Sequence, residues 1–329
     1  MLDAMRRPAL PRRAVVLGMM ALVGILAGPP AAGGLTAPAA GPPTVQPLAD
    51  GPMYAGNAPD PSVLVVDGTY YAYTTNDGVN DVPVLTSTDM VHWQAVGDVM
   101  PVLPSWVQHG YTWSPSVAVN PAGGYQLFFD AYDATDGVQC IGRATSPSPL
   151  GPFVDPSPTP FLCQQSLGGS IDASVYRSRH GDVLVWKSDG VDAIWAEDLG
   201  PGDRSLVGSP TRLLTAGAAW EGGVVEGPAL AVVGGTVYLF FSGNRWTTAE
   251  YAIGAVACAS PLGPCQTAGA QTAGAEPVLA TGAGATGPGG PSFFWAAGHL
   301  VMAYAAWVGG VVGGERGLYL ASVSPPGPS

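Results

Sequence analysis

Charge is scarce in this 329-residue chain: Asp, Glu, Lys and Arg make up 11% of it, with a formal net charge of −12. An acidic surface repels polyanions, so nucleic acid is excluded as a partner while a neutral polymer is not. Histidine and cysteine are also sparse, at four residues each. There is no Cys-x-x-Cys, and no His lies near a Cys in sequence, which argues against a zinc site built from the cysteines. No stretch sustains a helical apolar period with caps. Disorder is excluded too, because 47% of residues are hydrophobic and aromatics recur throughout.

What the chain has in excess is turn chemistry. Its 47 glycines and 33 prolines are spread in small clusters, as many short strands joined by tight turns require. The N-terminus differs. Arg6, Arg7, Arg12 and Arg13 precede an apolar run from Ala14 to about Gly28, and small residues follow at Ala31, Ala32 and Gly33. That is the pattern of a cleaved export signal over residues 1–33. The run is about fifteen residues, short of the ~20 that span a bilayer, so no stable membrane anchor is expected. Residues 34–50, rich in Gly, Pro and Ala, read as a flexible linker or lead-in, and 51–325 as the folded domain. A secreted chain can form disulfides. Of the three pairings open to four cysteines, the local ones are expected: Cys140–Cys163 and Cys258–Cys265, each set around a Ser-Pro-Leu-Gly-Pro turn.

From about Asp50 a unit repeats. DPSVLVVDGTYYAYTT starts at Asp60, SPSVAVNPAGGYQLFFDAY at Ser114 and DASVYRSRHGDVLVWKSD at Asp172. EGPALAVVGGTVYLFFSG starts at Glu226 and GPSFFWAAGHLVMAYAAW at Gly290. The period is roughly 54–64 residues, a little longer than a typical propeller blade repeat. After each pair of strands a third is expected, over 84–93, 141–153, 194–206, 253–265 and 318–328. Five sheets of three or four short strands predict an all-β, five-bladed β-propeller rather than a sandwich.

In a propeller the inner strand of every blade starts near the axis, so equivalent positions converge. Aligned on their starts, the five units carry Asp60, Ser114, Asp172, Glu226 and Gly290 there. Three carboxylates around one opening are costly to bury unless function needs them. Glycosidic cleavage does: one carboxylic acid protonates the leaving oxygen while an ionised one activates water on the opposite face. Two like charges ~6 Å apart at an effective dielectric of ~20 repel by roughly 3 kcal/mol, or about two pKa units, enough to keep a Glu protonated near neutral pH. Trp113 and Trp220 are candidates for stacking on a sugar ring, and Asn76 and Asn244 for bonding its hydroxyls.

In NAPDPSVLVVDGTYYAYTTN (57–76), YTWSPSV (111–117), GGSIDASV (168–175), WEGGVVEGPAL (220–230) and GPGGPSFF (287–294), the chain resembles glycoside hydrolase family 43. Those are five-bladed propellers that remove or cut α-L-arabinofuranosyl and β-D-xylosyl linkages with inversion. The resemblance covers about residues 54–325. It implies Asp60 as general base, Glu226 as general acid and Asp172 as the residue that tunes and orients the acid. Its departures are Ser114 and Ser116 in the second-blade motif, Ala173 after the third-blade Asp, and Gly290 where many members place a His. No cofactor is therefore required, and an axial calcium or sodium ion is left open. A monomer is expected, and the resemblance implies action on an oligo- or polysaccharide, first as an α-L-arabinofuranosidase, then as a β-xylosidase or endo-arabinanase. A carbohydrate-binding propeller without catalysis is the rival from another class.

Overall fold

The structure is a computed structural model that describes residues 41–265, 276–282 and 284–327. The expected export signal lies outside them, as does the first part of the lead-in. Strand β1 (Thr44–Pro47) comes first among the described residues. The first blade is β2 (Ser62–Val66), β3 (Thr69–Tyr73), β4 (Pro83–Ser87) and β5 (Gln94–Asp98). The second is β6 (Trp113–Val119), β7 (Tyr125–Asp133) and β8 (Val138–Ser146). The third is β9 (Ser170–Tyr176), β10 (Val183–Ser188), β11 (Ala193–Leu199) and β12 (Leu206–Thr215). The fourth is β13 (Val225–Val233), β14 (Thr236–Gly243) and β15 (Ala252–Cys258). The fifth is β16 (Thr286–Ala296), β17 (His299–Trp307) and β18 (Arg316–Ser324).

Each blade is an antiparallel meander, and the five sheets form a five-bladed β-propeller. All five expected third strands are present, as β4, β8, β11, β15 and β18. β1, inside the segment read as linker or lead-in, pairs with β18 from Thr44↔Ser324 to Pro47↔Ala321 and so completes the last blade with the first strand among the described residues.

Three blades open on the same hairpin. Asp67-Gly68, Gly234-Gly235 and Ala297-Gly298 each have positive φ at both residues and join strands paired directly across them. Two such residues make the type I′ turn that matches strand twist. Successive side chains then point to opposite faces of each blade. Leu127 and Phe129 pack against the first blade and Phe128 against the third; Leu239 and Phe241 face the third blade and Tyr238 and Phe240 the fifth. The apolar core accordingly divides into five clusters, each lying between two neighbouring blades, including the fifth and the first. Fully burying a Phe or Leu side chain contributes about 1.5–3 kcal/mol, so these seams hold the ring shut. Trp93 and Trp186 are buried within them. The disulfides Cys140–Cys163 and Cys258–Cys265 form as expected.

Candidate active site

The inner strand of each blade is bent where it reaches the axis. Asp60, Ser114, Asp172, Gly227 and Gly290 all have positive φ, between 42° and 67°. In β6, β9, β13 and β16 the pairing register slips at this point, the mark of a bulge. A bulge re-aims a side chain, and holding a non-glycine residue here costs about 1 kcal/mol or more. Glu226 is not one of the five. In the fourth blade the equivalent position is Gly227, followed by Pro228 just as Asp60 is followed by Pro61 and Ser114 by Pro115. The alignment that put Glu226 first is thus one residue out: Glu226 precedes the bend, on β13 opposite Ser242.

Around the axis the five positions are linked. Thr75 Oγ1 donates to Asp60 Oδ2 at 2.6 Å and accepts the Ser114 N–H at 2.9 Å. Ser114 Oγ donates to Asp172 Oδ1 at 2.6 Å, and the Gly227 N–H donates to Asp172 Oδ2 at 2.9 Å. The Gly290 N–H reaches Ser242 Oγ at 2.9 Å. A Cβ on Gly290 would sit 3.0 Å from Asp60 Oδ1, so the last blade meets the first there. Beneath Asp172, the buried Asp130 accepts the Asp172 N–H at 2.8 Å. Burial pushes the Asp130 carboxyl well above its ordinary range, and Asp172 adds to the rise.

The ring opens into a cavity of about 740 Å³ whose lining includes Asp60, Asp172 and Glu226, within the size range of small-ligand sites. Burial raises the Asp60 carboxyl and the Asp172 charge raises it further, with the Thr75 bond and Arg316 acting the other way. Glu226 is pushed up to about 7, first by burial, with Lys187 opposing and Asp172 reinforcing. Tyr251 donates its hydroxyl to Glu226 Oε1 at 2.7 Å, and Lys187 Nζ donates to Oε2 at 3.2 Å. Burial and the Glu226 charge raise the Tyr251 phenol, which keeps it a donor. Arg316 lies over the Tyr251 and Trp307 rings, 5.4 Å and 5.1 Å from their centroids, and bonds the carbonyls of Gly287 and Ala305.

Of the other residues singled out from the sequence, Trp113 and Asn76 line this cavity. Trp220 does not: it stacks on Phe241, 5.7 Å between centroids, against the seam of the third and fourth blades. Asn244 is absent from the lining as well. Its Nδ2 donates to the Trp220 carbonyl and its Oδ1 accepts the Arg245 N–H, so it shapes its own loop. Residues that sequence reasoning passed over are Lys187, Tyr251, Arg316, Asp130 and the stacked pair Trp246–Trp307, 6.0 Å between centroids, whose outer member is 52% exposed. Lys187 carried one usable signal, as the only lysine of the chain. Among the described residues no group of three or more His, Cys, Asp or Glu could hold a metal ion.

Residues 49–323 match the family described as Glycosyl hydrolases family 43. The chain belongs to glycoside hydrolase family 43. Members of the family are inverting enzymes. Among family-43 relatives, it is 28% identical to the arabinoxylan arabinofuranohydrolase of Bacillus subtilis, over 62% of this chain and 48% of that protein. The chain thus spans about half the length of that curated relative. Its fold is similar to that of an endo-1,4-beta-xylanase from Bacteroides thetaiotaomicron (TM-score 0.71, 24% identity, 84% of this chain and 96% of that one). It is also similar to an alpha-L-arabinofuranosidase from Lactobacillus brevis (TM-score 0.66, 18% identity, 86% and 97%).

Proposed function

We infer that this family-43 chain is a secreted, inverting glycoside hydrolase acting on arabinose- or xylose-containing polysaccharide, in the first place as an α-L-arabinofuranosidase. The observation that carries this is the meeting of Asp60, Asp172 and Glu226 in one cavity, with Glu226 raised to about 7 and so protonated up to neutral pH. Glu226 gives its proton to the glycosidic oxygen as the bond from that oxygen to the anomeric carbon breaks. Asp60 takes a proton from the water whose oxygen bonds the same carbon from the opposite face. The sugar leaves with inverted configuration, Glu226 ends ionised and Asp60 protonated, and exchange with solvent resets both. Asp172, fixed by Ser114, Gly227 and Asp130, supplies the negative charge that helps hold the proton on Glu226. The proposed chemistry uses no metal ion. The similarity to an arabinoxylan arabinofuranohydrolase supports the choice of arabinose, and the two disulfides support export.

The test is incubation of the mature protein with nitrophenyl arabinofuranoside, nitrophenyl xyloside, arabinan and arabinoxylan. Products are identified and the first-formed anomer is read by NMR. Arabinose released in the inverted configuration, with turnover lost but ligand binding kept in Glu226→Gln, is the expected result. A protein that binds these sugars equally well with and without Glu226 and turns over none of them would be a binding propeller instead.

A further inference from the structure

The chain's only lysine is placed inside the site. The Lys187 side chain is 5% exposed, with Nζ 3.2 Å from Glu226 Oε2 and 3.4 Å from both Asp189 Oδ1 and Asp192 Oδ1. The groups facing Glu226 are Asp172 from β9, Lys187 from β10, Tyr251 ahead of β15 and, at longer range, Arg316, while Asp60 acts on Tyr251. Of the two cations, Arg316 is held by backbone carbonyls, whereas Lys187 touches the acid itself.

Both Glu226 oxygens receive a donor, Tyr251 on one and Lys187 on the other. Two donors suit a carboxylate; a carboxylic acid must use one oxygen to carry and present its own proton. The protonated oxygen keeps some acceptor capacity but is a weaker partner than a carboxylate oxygen, so the donor on that oxygen loosens while Glu226 carries the proton. Tyr251 is a 4% exposed ring packed under Arg316, and the other hydroxyl beside it, that of Ser242, is neutral and a poorer acceptor than the carboxylate it holds. Lys187 has two, in carboxylates that are 41% and 36% exposed and that solvent can stabilise when the lysine leaves them. Glu226, at 15% exposed, has no such relief once it is ionised.

We propose that Lys187 is a positioning residue that alternates between partners: it rests against Asp189 and Asp192 while Glu226 carries the proton, and closes on Glu226 Oε2 as that proton passes to the leaving oxygen. This rests on Glu226 being the proton donor. Lys187 keeps all its protons throughout; the only proton transferred is that of Glu226.

The test compares kcat/KM against pH for the wild type, Lys187→Met, Lys187→Arg and the double variant Asp189→Asn/Asp192→Asn. Lys187→Met should move the alkaline limb upward by about one pH unit or more, since the carboxylate has lost its partner. It should also slow a poor leaving group, such as an oligosaccharide, more than nitrophenolate. Lys187→Arg should restore much of the limb. The double Asn variant commits the lysine to Glu226 and should move the limb downward. A residue that merely fills space would not produce shifts of opposite sign. With one lysine, a lysine-labelled sample also yields a single side-chain ammonium environment, whose NMR shift should follow the Glu226 titration in wild type and lose that step in Glu226→Gln. If Lys187→Met fails to fold, the Asn variant and the NMR titration decide alone. A wild type with a normal alkaline limb that none of these changes moves, or moves in one direction only, overturns the role of Lys187. If the wild type hydrolyses nothing, or Glu226→Gln keeps its turnover, the assignment of Glu226 is what fails.

Discussion

Gly290→Ala tests whether the last blade is pressed against the first at the proposed base. Two costs are separable. Gly290 has φ of +67°, and an L-residue in this left-handed region costs roughly 1–2 kcal/mol. The added Cβ would also lie 3.0 Å from Asp60 Oδ1 and 3.3 Å from Asp60 Cα. Asp60 cannot simply rotate away, because Thr75 holds its other oxygen at 2.6 Å, so the carboxyl or its backbone must shift by a few tenths of an ångström. A misplacement of ~1 Å in a reacting geometry costs on the order of a hundredfold, so about a tenfold fall in kcat is expected from this smaller one. Gly298, in the β16–β17 hairpin, is the control: its φ is +81°, and nothing lies within 4 Å of its would-be Cβ. Gly298→Ala should lower the melting temperature by about 2–5 °C and leave kcat alone, while Gly290→Ala should do both. Thermal melts beside steady-state assays read the two terms. If the two variants have the same kcat, the contact between Gly290 and Asp60 does not constrain the base.

Activity should fall as pH rises through about 7, where Glu226 ionises, and its pH profile should show that limb. Stability carries the same sign: between 4.5, the ordinary value for a Glu, and about 7, the folded state holds a proton that the unfolded chain has lost, so unfolding free energy should decline with pH across that window in wild type and flatten in Glu226→Gln. Replacing Cys140 and Cys163 by Ser opens a loop with a sequence separation of 23, which should cost about 3 kcal/mol in denaturant titrations, more than opening Cys258–Cys265 with its separation of 7. Trp246→Ala removes an exposed indole from the cavity lining and should raise KM for arabinoxylan by about 3- to 10-fold, with a smaller effect on a nitrophenyl glycoside; equal effects on both would place no polymer contact there.

The five-fold repeat was legible because each unit carries the same local chemistry: a bend followed by Pro-Ser-Val or a close variant, then, in three units, a two-residue turn such as Asp67-Gly68. What escaped has no local signature. β1 is four residues of a Pro- and Gly-rich stretch whose partner, β18, lies at the other end of the chain. Lys187, Tyr251 and Arg316 come from different blades and acquire a role only when the ring closes. Their places beside Glu226 and a strand end point Trp220 and Asn244 toward the cavity; the Trp220 ring instead fills the space left by the missing side chains of Gly243 and Gly254. Sequence proximity to a catalytic residue says little about orientation when the connecting segment turns twice, at Gly222 and Gly223, both of positive φ.

The offset of Glu226 by one residue also explains why the proposed acid is Glu and its two partners are Asp. Asp60 and Asp172 occupy left-handed positions, which Asp tolerates far better than most residues, and there a short side chain at the tip of the bend already reaches the axis. Each is held locally, Asp60 by Thr75 and Asp172 by Ser114 and Gly227. In the fourth blade the bend is given to Gly227, whose backbone N–H is then free to bond Asp172. The carboxylate moves back onto regular β13, in register with Ser242, where the longer Glu can reach both Tyr251 and Lys187. Backbone strain thus fixes the two carboxylates that must not move. Glu226, the proposed proton donor, sits on backbone without positive φ, between two donors from separate blades, where a small change in either donor alters its hold on the proton.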